Sequence, residues 1–253
     1  MPDKGNFQTA DTVVFPAAVH TRTANRFEAV TADISFCVNI PKISCKNSDA
    51  IRIDKRMHFP VQERGMFAAL CIGYILGALP FGFWIAKVHG VCIFDVGSGN
   101  PGATNVLRTI GKKAGYTVFF LDALKGMVAT FIGLKLQYPY VGLVGALIGH
   151  GFSFFIRFKG GKGVATLIGG LFLLMPLPLL SGLLVWLAVF KYTRYVSCAS
   201  ICFVFSLLPF CCLWNGIPAT RPHALPLFVF CIWVLVHHRK NLVRLWKGEE
   251  NRF

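Results

Sequence analysis

Apolar runs of membrane-spanning length, most of them without a charged residue, alternate with short polar segments from about residue 66 to the end of the chain. About 20 apolar residues suffice for a helix to cross the hydrocarbon core. The runs that predict such helices are residues 66–86, 114–134, 138–156, 164–190, 195–213 and 224–241. Pro176 and Pro178 interrupt the long run 164–190, which predicts two short helices joined by a proline hairpin. The pattern therefore predicts an all-α integral membrane protein with seven transmembrane helices. A single tilted helix over 164–190 would give six.

The basic residues test the count of seven. When the connecting segments are assigned to alternate sides, 14 lysines and arginines fall on one side, whereas the opposite loops hold only Lys135 and Arg221. Cationic loops stay in the cytoplasm. The N-terminus is therefore expected outside and the C-terminus in the cytoplasm, and a six-helix arrangement would split the basic loops between the two faces.

Residues 1–65 differ from the rest of the chain. They are polar, mixed in charge and without the sustained apolar run of a signal peptide. This composition predicts a poorly ordered N-terminal tail followed by a membrane domain over residues 66–253. The alternative is a misassigned start site, with Met57 or Met66 as the natural first residue.

The overall composition narrows the class of function. The chain is 55% hydrophobic and 15% charged, and its formal net charge is +15. The basic residues flank apolar runs instead of forming a stripe, which argues against nucleic acid as a partner. Anionic lipid headgroups and an anionic substrate explain the charge better. The nine cysteines show no metal-binding spacing, so we expect no metal site and no disulfide.

A glycine-rich polar loop, GSGNPGATNVLR, occupies residues 97–108 between two apolar runs. Small residues let backbone N–H groups approach an anion, and Arg108 is suited to bidentate contact with a phosphate. The side chains that can bind oxygens are Ser98, Asn100, Thr104, Asn105 and Arg108. The spacing of Gly97, Gly99 and Gly102 mimics a dinucleotide-binding turn, but no strand precedes it. Phosphate binding is favoured over a flexible turn with incidental polar residues.

A second glycine-rich basic loop, FKGGKGVAT, follows a later apolar run at residues 158–166. It does not satisfy the phosphate-loop pattern of nucleotide hydrolases, because Val164 follows Gly163, so we expect no ATP chemistry. The glycines would let the backbone wrap an anion while two lysines add charge; these residues are Lys159, Gly160, Gly161, Lys162 and Gly163. The alternative is an interfacial loop with snorkelling lysines. Two such loops at one face predict that the protein handles phosphate at the membrane surface.

Several polar residues within or beside the apolar runs are further candidates. Asp122 and Lys125 stand three apart on one helix face, either as an ion pair that locks the helix or with Lys125 free to reach a substrate phosphate. His150 is as compatible with a structural as with a functional role. His238 and Asn241 share a helix face where the last apolar run ends, as a functional pair or an interfacial one. Glu250 is expected to be a structural counter-ion.

The sequence contains no motif for a strong catalytic base, which suits a substrate that is already activated. The alternative class is an anion carrier. Carriers often show inverted repeats and polar breaks at the middle of the membrane. Neither is found in this sequence, and the polar motifs cluster at one predicted face.

From residue 66 to residue 253 the chain resembles the bacterial acyl-phosphate:glycerol-3-phosphate acyltransferases, polytopic membrane enzymes of phospholipid synthesis. The segments that carry the resemblance are GYILGALPFG (73–82), VGSGNPGATNVLRTIGKKAG (96–115), DALKG (122–126), GHGFSFFIRFKGGKGVAT (149–166), YVSCAS (195–200) and HHRKNLVRLWKGEE (237–250). Their number and order make the resemblance specific. Ala78 departs from the serine that is usual in this family.

The resemblance implies seven helices in the bacterial inner membrane and transfer of an acyl chain from acyl phosphate to the 1-hydroxyl of glycerol 3-phosphate. It implies no cofactor. The partners that it indicates are the two substrates and membrane lipids, and it indicates no protein partner. The catalytic residues it implies are Ser98, Arg108, His238 and Asn241. It also implies that the 160–163 glycines bind glycerol 3-phosphate, that Ser197 contacts substrate and that Glu250 is structural.

Overall fold

The structure, a computed structural model, describes residues 61–215 and 224–253, and in these ranges the chain is helical. The helices are α1 (Val61–Gly77), α2 (Phe81–Val88), α3 (Ala103–Thr109), α4 (Lys112–Lys135), α5 (Pro139–Gly151), α6 (Val164–Leu174), α7 (Pro176–Thr193), α8 (Val196–Asn215) and α9 (Ala224–Trp246). A short 3-10 turn, Phe154–Ile156, follows α5. The predicted all-α class is confirmed. The first helix begins at Val61, before the expected boundary at 65, and residues 1–60 lie outside the described residues.

Five stretches of the described chain are long and apolar enough to cross a membrane. They are Glu63–Val88, Lys112–Lys135, Pro139–Ile156, Pro176–Thr193 and Val196–Leu213. The apolar helix Val164–Leu174 is shorter. The last predicted run lies in α9, which continues to Trp246, beyond the expected end at 241. The number of seven therefore stays a prediction.

Prolines break two of the apolar runs. The expected break in the run 164–190 is present, because α6 ends at Leu174, Met175 departs from helical geometry (φ −153°, ψ 71°) and Pro176 opens α7. The first run, 66–86, was expected to be one helix; the structure divides it into α1 and α2, although Glu63–Val88 as a whole is long and apolar enough to cross a membrane. It is interrupted between Gly77 and Phe81, just where Pro80 removes an N–H donor and disfavours helical geometry at the preceding residue.

Helix α1 packs along α5, and α4 packs between α5 and α6. Glycines allow these helices to approach closely: a Cβ added at Gly73 would overlap the Gly142 carbonyl, and one at Gly126 would overlap the Thr166 carbonyl. Small residues are the usual means of bringing membrane helices into contact, because lipid provides little hydrophobic drive for association. The glycine-rich composition of the apolar runs thus serves helix packing.

Two buried clusters hold the bundle together. The larger joins α5 to α9 through residues such as Leu143, Leu171, Phe203 and Phe230. The smaller lies beneath the loop after α2 and includes Ile93, Val106 and Val118. This second cluster anchors α3, a seven-residue helix, on the start of α4. The loop between α2 and α4 is therefore held in place by its own core.

We expect the Gly73→Ala substitution to destabilise the protein, because the added methyl group would meet the backbone of α5. Overpacking of this kind costs about 1–3 kcal/mol. Thermal unfolding in detergent measures the effect. The control is Gly65→Ala in the same helix, whose new Cβ would lie 3.3 Å from its nearest neighbours. Equal unfolding midpoints for the two variants would contradict close α1–α5 packing.

Candidate active site

The first glycine loop is organised by the buried side chain of Asn105. Its Oδ1 accepts the N–H of Ser98 at 2.9 Å, and its Nδ2 donates to the Val96 carbonyl at 3.1 Å. Gly97 and Gly99 adopt positive φ values of 59° and 67°, which residues other than glycine rarely adopt. Asn105 thus shapes the loop, and the Ser98 side chain lines the cavity described below.

The second glycine loop folds against the end of α5. The N–H groups of Gly160 and Gly161 donate to the carbonyls of Gly151 and His150, both at 3.0 Å. The expectation that these two N–H groups cradle an anion is therefore wrong. A Cβ at Gly161 would overlap the His150 ring, so this glycine is required for packing. Lys159 and Lys162 still give the loop positive charge that can attract an anion.

A buried carboxylate connects the last helix to two other parts of the chain. Glu250 is 8% exposed and accepts hydrogen bonds from Asn241 Nδ2 at 2.7 Å and from Ser197 Oγ at 3.1 Å. Its second oxygen pairs with Arg244 Nε at 3.1 Å. The Nζ of Lys162 donates to Asn241 Oδ1 at 2.7 Å. Glu250 thus holds the Asn241 side chain in place, and Asn241 in turn orients Lys162.

His238 is buried on α9, one helical turn before Asn241. Its Nδ1 lies 2.8 Å from the Val234 carbonyl oxygen. A carbonyl only accepts, so Nδ1 carries the proton, and Nε2 of the neutral ring is an acceptor. The side chain lines the cavity, where such an acceptor can orient a hydroxyl group.

Arg108, on α3, presents its guanidinium beside the last residues of the chain. Its Nη2 donates to the Asn251 carbonyl at 3.0 Å, and its Cζ lies 4.3 Å from the centre of the Phe253 ring. Burial lowers the pKa of Arg108 from its usual value, whereas the Glu250 carboxylate opposes that shift. An arginine remains charged under such conditions, so it is a fixed cation.

These residues surround a cavity of about 590 Å³. Its polar wall combines the first loop, Arg108, Lys162, His238 and Asn241. A second, apolar wall consists of side chains from α4, α6 and α7, including Phe119, Ile168, Leu183, Trp186 and Phe190. A molecule with a long apolar part and an anionic end matches both walls.

A second cavity of about 360 Å³ adjoins the first and is more polar. Four cationic side chains line it: Lys159, Lys162, Lys240 and Arg244. The two cavities share Ser98, Asn100, Lys162 and Asn241. They therefore meet at residues of both glycine loops and of α9.

Lys162 stands at this junction in an unusual electrostatic setting. The pKa of its ammonium is lowered to about 8; burial is the main cause, Arg244 and Arg108 add to it, and the Glu250 carboxylate opposes it. A bound anion would favour the charged form. In the unliganded site Lys162 therefore loses its proton at a pH about one unit above neutral.

Lys125 does not line either cavity. Its Nζ lies 2.8 Å from Asp122 Oδ1 and donates to the Leu79 carbonyl at 3.0 Å. Of the two interpretations left open by the sequence, this geometry favours the ion pair, and we do not retain Lys125 as a substrate ligand. Asp122 also lies 3.7 Å from His150 Nδ1, and both residues line the larger cavity.

Most of the predicted site residues lie together around the two cavities. The first is lined by Ser98, Asn100, Thr104, Asn105, Arg108, Lys162, Gly163, Ser197, His238, Asn241 and Glu250. Gly99, Lys159 and Gly160 line the second. Gly97 and Gly161 line neither and act through loop geometry.

Sequence reasoning missed Arg244, Lys240 and Phe253 as parts of the site. Arg244 carried a usable signal, because it continues the three-residue spacing of His238 and Asn241 on one helix face. Lys240 was visible only as one of many basic residues. Phe253 carried no signal, since its position depends on how the end of the chain folds back.

Comparison with known proteins shows the family to which the chain is similar. The sequence profile of the family described as glycerol-3-phosphate acyltransferase matches residues 67–248. A glycerol-3-phosphate acyltransferase of Aquifex aeolicus is 43% identical over 186 residues, covering 71% of this chain and 95% of that protein. One from Geobacter sulfurreducens is 40% identical over 72% of this chain and 94% of its own length.

Two solved structures share the fold. Both are crystal structures of PlsY, an integral membrane glycerol 3-phosphate acyltransferase. The glycerol 3-phosphate form has a TM-score of 0.69 at 40% identity, and the lysophosphatidic acid form 0.67 at 39%. Each match covers 74% of this chain and 95% of the other. The chain therefore belongs to the glycerol-3-phosphate acyltransferase family, and it is an integral membrane acyltransferase.

Proposed function

We propose that the protein transfers an acyl chain from acyl phosphate to the 1-hydroxyl of glycerol 3-phosphate, giving 1-acyl-glycerol 3-phosphate and phosphate. The observation that carries the proposal is the junction of an amphiphilic cavity with a cationic one. The forms of the related PlsY structures, with glycerol 3-phosphate and with lysophosphatidic acid, support a substrate and a product of this chemistry.

The donor is assigned to the larger cavity. Its apolar wall accommodates the acyl chain, and its polar wall offers Arg108 to the phosphate of the mixed anhydride. An acyl phosphate has a good leaving group, so the site needs charge and orientation more than a strong base. The polar wall offers a hydrogen-bond acceptor in His238 instead of a strong base, and this suits such a donor.

The acceptor's phosphate is assigned to the smaller cavity, among Lys159, Lys162, Lys240 and Arg244. Glycerol 3-phosphate bound there would extend its hydroxyl end towards the shared residues. His238 Nε2 would accept a hydrogen bond from the 1-hydroxyl and orient it. The donor and the acceptor would then lie on different sides of Lys162, one in each cavity.

The reaction follows from this arrangement. The hydroxyl oxygen attacks the acyl carbonyl carbon, a C–O ester bond forms, and the bond from that carbon to the phosphate oxygen breaks. The hydroxyl proton ends on the departing phosphate, so charge and atoms balance without an added base. Arg108 and Lys162 stabilise the negative charge that moves onto the leaving group.

We also retain the membrane arrangement predicted from the sequence: seven helices over a domain of residues 66–253, with the N-terminus outside and the C-terminus in the cytoplasm of a bacterial cell. The 14-to-2 distribution of basic residues supports it. The loops 97–113, 157–163 and 237–250 all contribute to the two adjoining cavities, as loops on one side of a membrane would.

The first prediction from this proposal concerns the donor. Purified protein incubated with palmitoyl phosphate and labelled glycerol 3-phosphate should form labelled 1-acyl-glycerol 3-phosphate and release one phosphate per turnover. Palmitoyl-CoA should support little turnover, because the cavities hold no evident nucleotide-binding loop. Equal rates with palmitoyl-CoA alone would refute acyl phosphate as the donor.

The second prediction follows from the pKa of Lys162. As pH rises from 7 to 9 the ammonium loses its proton, so kcat/KM for glycerol 3-phosphate should fall about tenfold. The substrate's own phosphate is already dianionic in this range. The measurement is a steady-state pH profile at a donor concentration well below its KM, where Lys162 of the unliganded enzyme governs the profile.

The matched variant is Lys162→Arg, whose guanidinium stays charged throughout this range. Even if its activity is lower, its profile should be flat from pH 7 to 9. A flat profile for the wild type, or the same slope in both proteins, would remove Lys162 from acceptor binding.

The third prediction tests the orientation. In a cysteine-free background, Lys247→Cys should resist a membrane-impermeant thiol reagent applied to intact spheroplasts, because the position is cytoplasmic. Lys135→Cys, on the opposite side, should react. Both side chains are exposed in the structure, so burial does not protect either one. Labelling at 247 with protection at 135 would invert the topology.

A further inference from the structure

The C-terminal segment Asn251–Phe253 lies beyond residue 248, where the family match ends, yet it is firmly attached to the bundle. The Phe253 N–H donates to the Arg194 carbonyl at 3.1 Å. Arg252 Nε donates to the Tyr195 hydroxyl at 2.8 Å. These bonds tie the segment to the connection between α7 and α8.

The same segment holds the guanidinium of Arg108 in two ways. Arg108 Cζ lies over the Phe253 ring, 4.3 Å from the ring centre. The Asn251 carbonyl accepts one N–H from Nη2 at 3.0 Å. Phe253 is itself supported by an edge contact with Phe190, at 6.0 Å between ring centres. The guanidinium is therefore held by groups from outside α3.

One donor of this guanidinium lacks an acceptor. Among the described residues, Arg108 Nε is the buried side-chain polar atom without a hydrogen-bond partner. Burying a donor without an acceptor is costly, and such a group points to a ligand that supplies the missing oxygen. Arg108 and Phe253 both line the larger cavity. The missing acceptor is thus expected inside that cavity.

We propose that Phe253 is a positioning residue: it stacks on Arg108 and, with the Asn251 carbonyl, presents the remaining N–H groups of the guanidinium to the phosphate of the acyl donor. This inference rests on the proposed function, in which Arg108 binds that phosphate. The stacked ring occupies a face of the guanidinium, which leaves its hydrogen-bonding edges to the ligand.

The physical benefit is preorganisation. A free arginine side chain samples many rotamers and loses this freedom when it binds an anion. The ring contact and the carbonyl bond fix the rotamer before the donor arrives, so less entropy is lost on binding. A cation–π contact at a partly desolvated site has the strength to change affinity about tenfold.

The test compares three substitutions at Phe253 by steady-state kinetics with palmitoyl phosphate. Phe253→Ala should raise KM for the donor about tenfold and leave KM for glycerol 3-phosphate near the wild-type value. Phe253→Tyr keeps the aromatic face and should restore the donor KM. Phe253→Leu keeps apolar volume without that face and should behave like the alanine variant.

A double-mutant cycle with Arg108→Lys separates positioning from packing. If Phe253 acts through the guanidinium, Phe253→Ala should have little further effect when Arg108 is replaced. Trp246→Ala serves as the control, because Trp246 is 88% exposed and lines neither cavity. Thermal unfolding in detergent should show all variants folded.

Three outcomes would overturn the inference: an unchanged donor KM in Phe253→Ala, full recovery by leucine, or equal effects of Phe253→Ala in both Arg108 backgrounds. Failure of the proposed donor looks different, since the wild type would then not use palmitoyl phosphate at all. In that case the same cycle, run with the acyl donor that does support turnover, still decides the role of Phe253.

Discussion

The arrangement of the site depends on the hydrogen bonds and the ion pair of the buried Glu250 carboxylate. An ionised group in an apolar bundle is tolerated only when hydrogen bonds and a counter-charge compensate its desolvation. Here Ser197, Asn241 and Arg244 supply them, and Asn241 in turn holds Lys162. Removing the carboxylate would release side chains from α8, α9 and the second glycine loop together. Its structural role is therefore inseparable from the placement of the cation between the two cavities.

The distribution of polarity within the bundle explains how a membrane enzyme can join a lipid-soluble group to a water-soluble one. Apolar side chains of α4, α6 and α7 form one wall of the larger cavity, and the loops supply the charged wall. The smaller cavity continues from the charged wall only. A site at this boundary can receive an acyl chain and a small polyanion from different directions. It needs little acid–base strength when the acyl group arrives activated.

Glycine has two separate functions in this chain. Gly97 and Gly99 adopt left-handed backbone conformations that shape the first loop around Asn105. Gly160 and Gly161 instead allow the second loop to lie directly on the end of α5, with their N–H groups already bonded there. A glycine-rich sequence beside lysines therefore does not by itself indicate backbone binding of an anion, since close packing of two segments imposes the same composition.

The sequence by itself determined the helical membrane class and the break at Pro176, because hydrophobic run length and proline act locally along the chain. Charge asymmetry also predicted that the polar loops lie together, and residues of these loops line the same two cavities. The break before Phe81 was within reach of the same reasoning, through Pro80. The tertiary structure decided which polar groups were free to act. It paired Lys125 with Asp122, used the Gly160 and Gly161 N–H groups internally, and brought Arg244 and Phe253 to the cavities. These outcomes depend on contacts between distant segments, such as Arg108 with Phe253, and no local pattern records them.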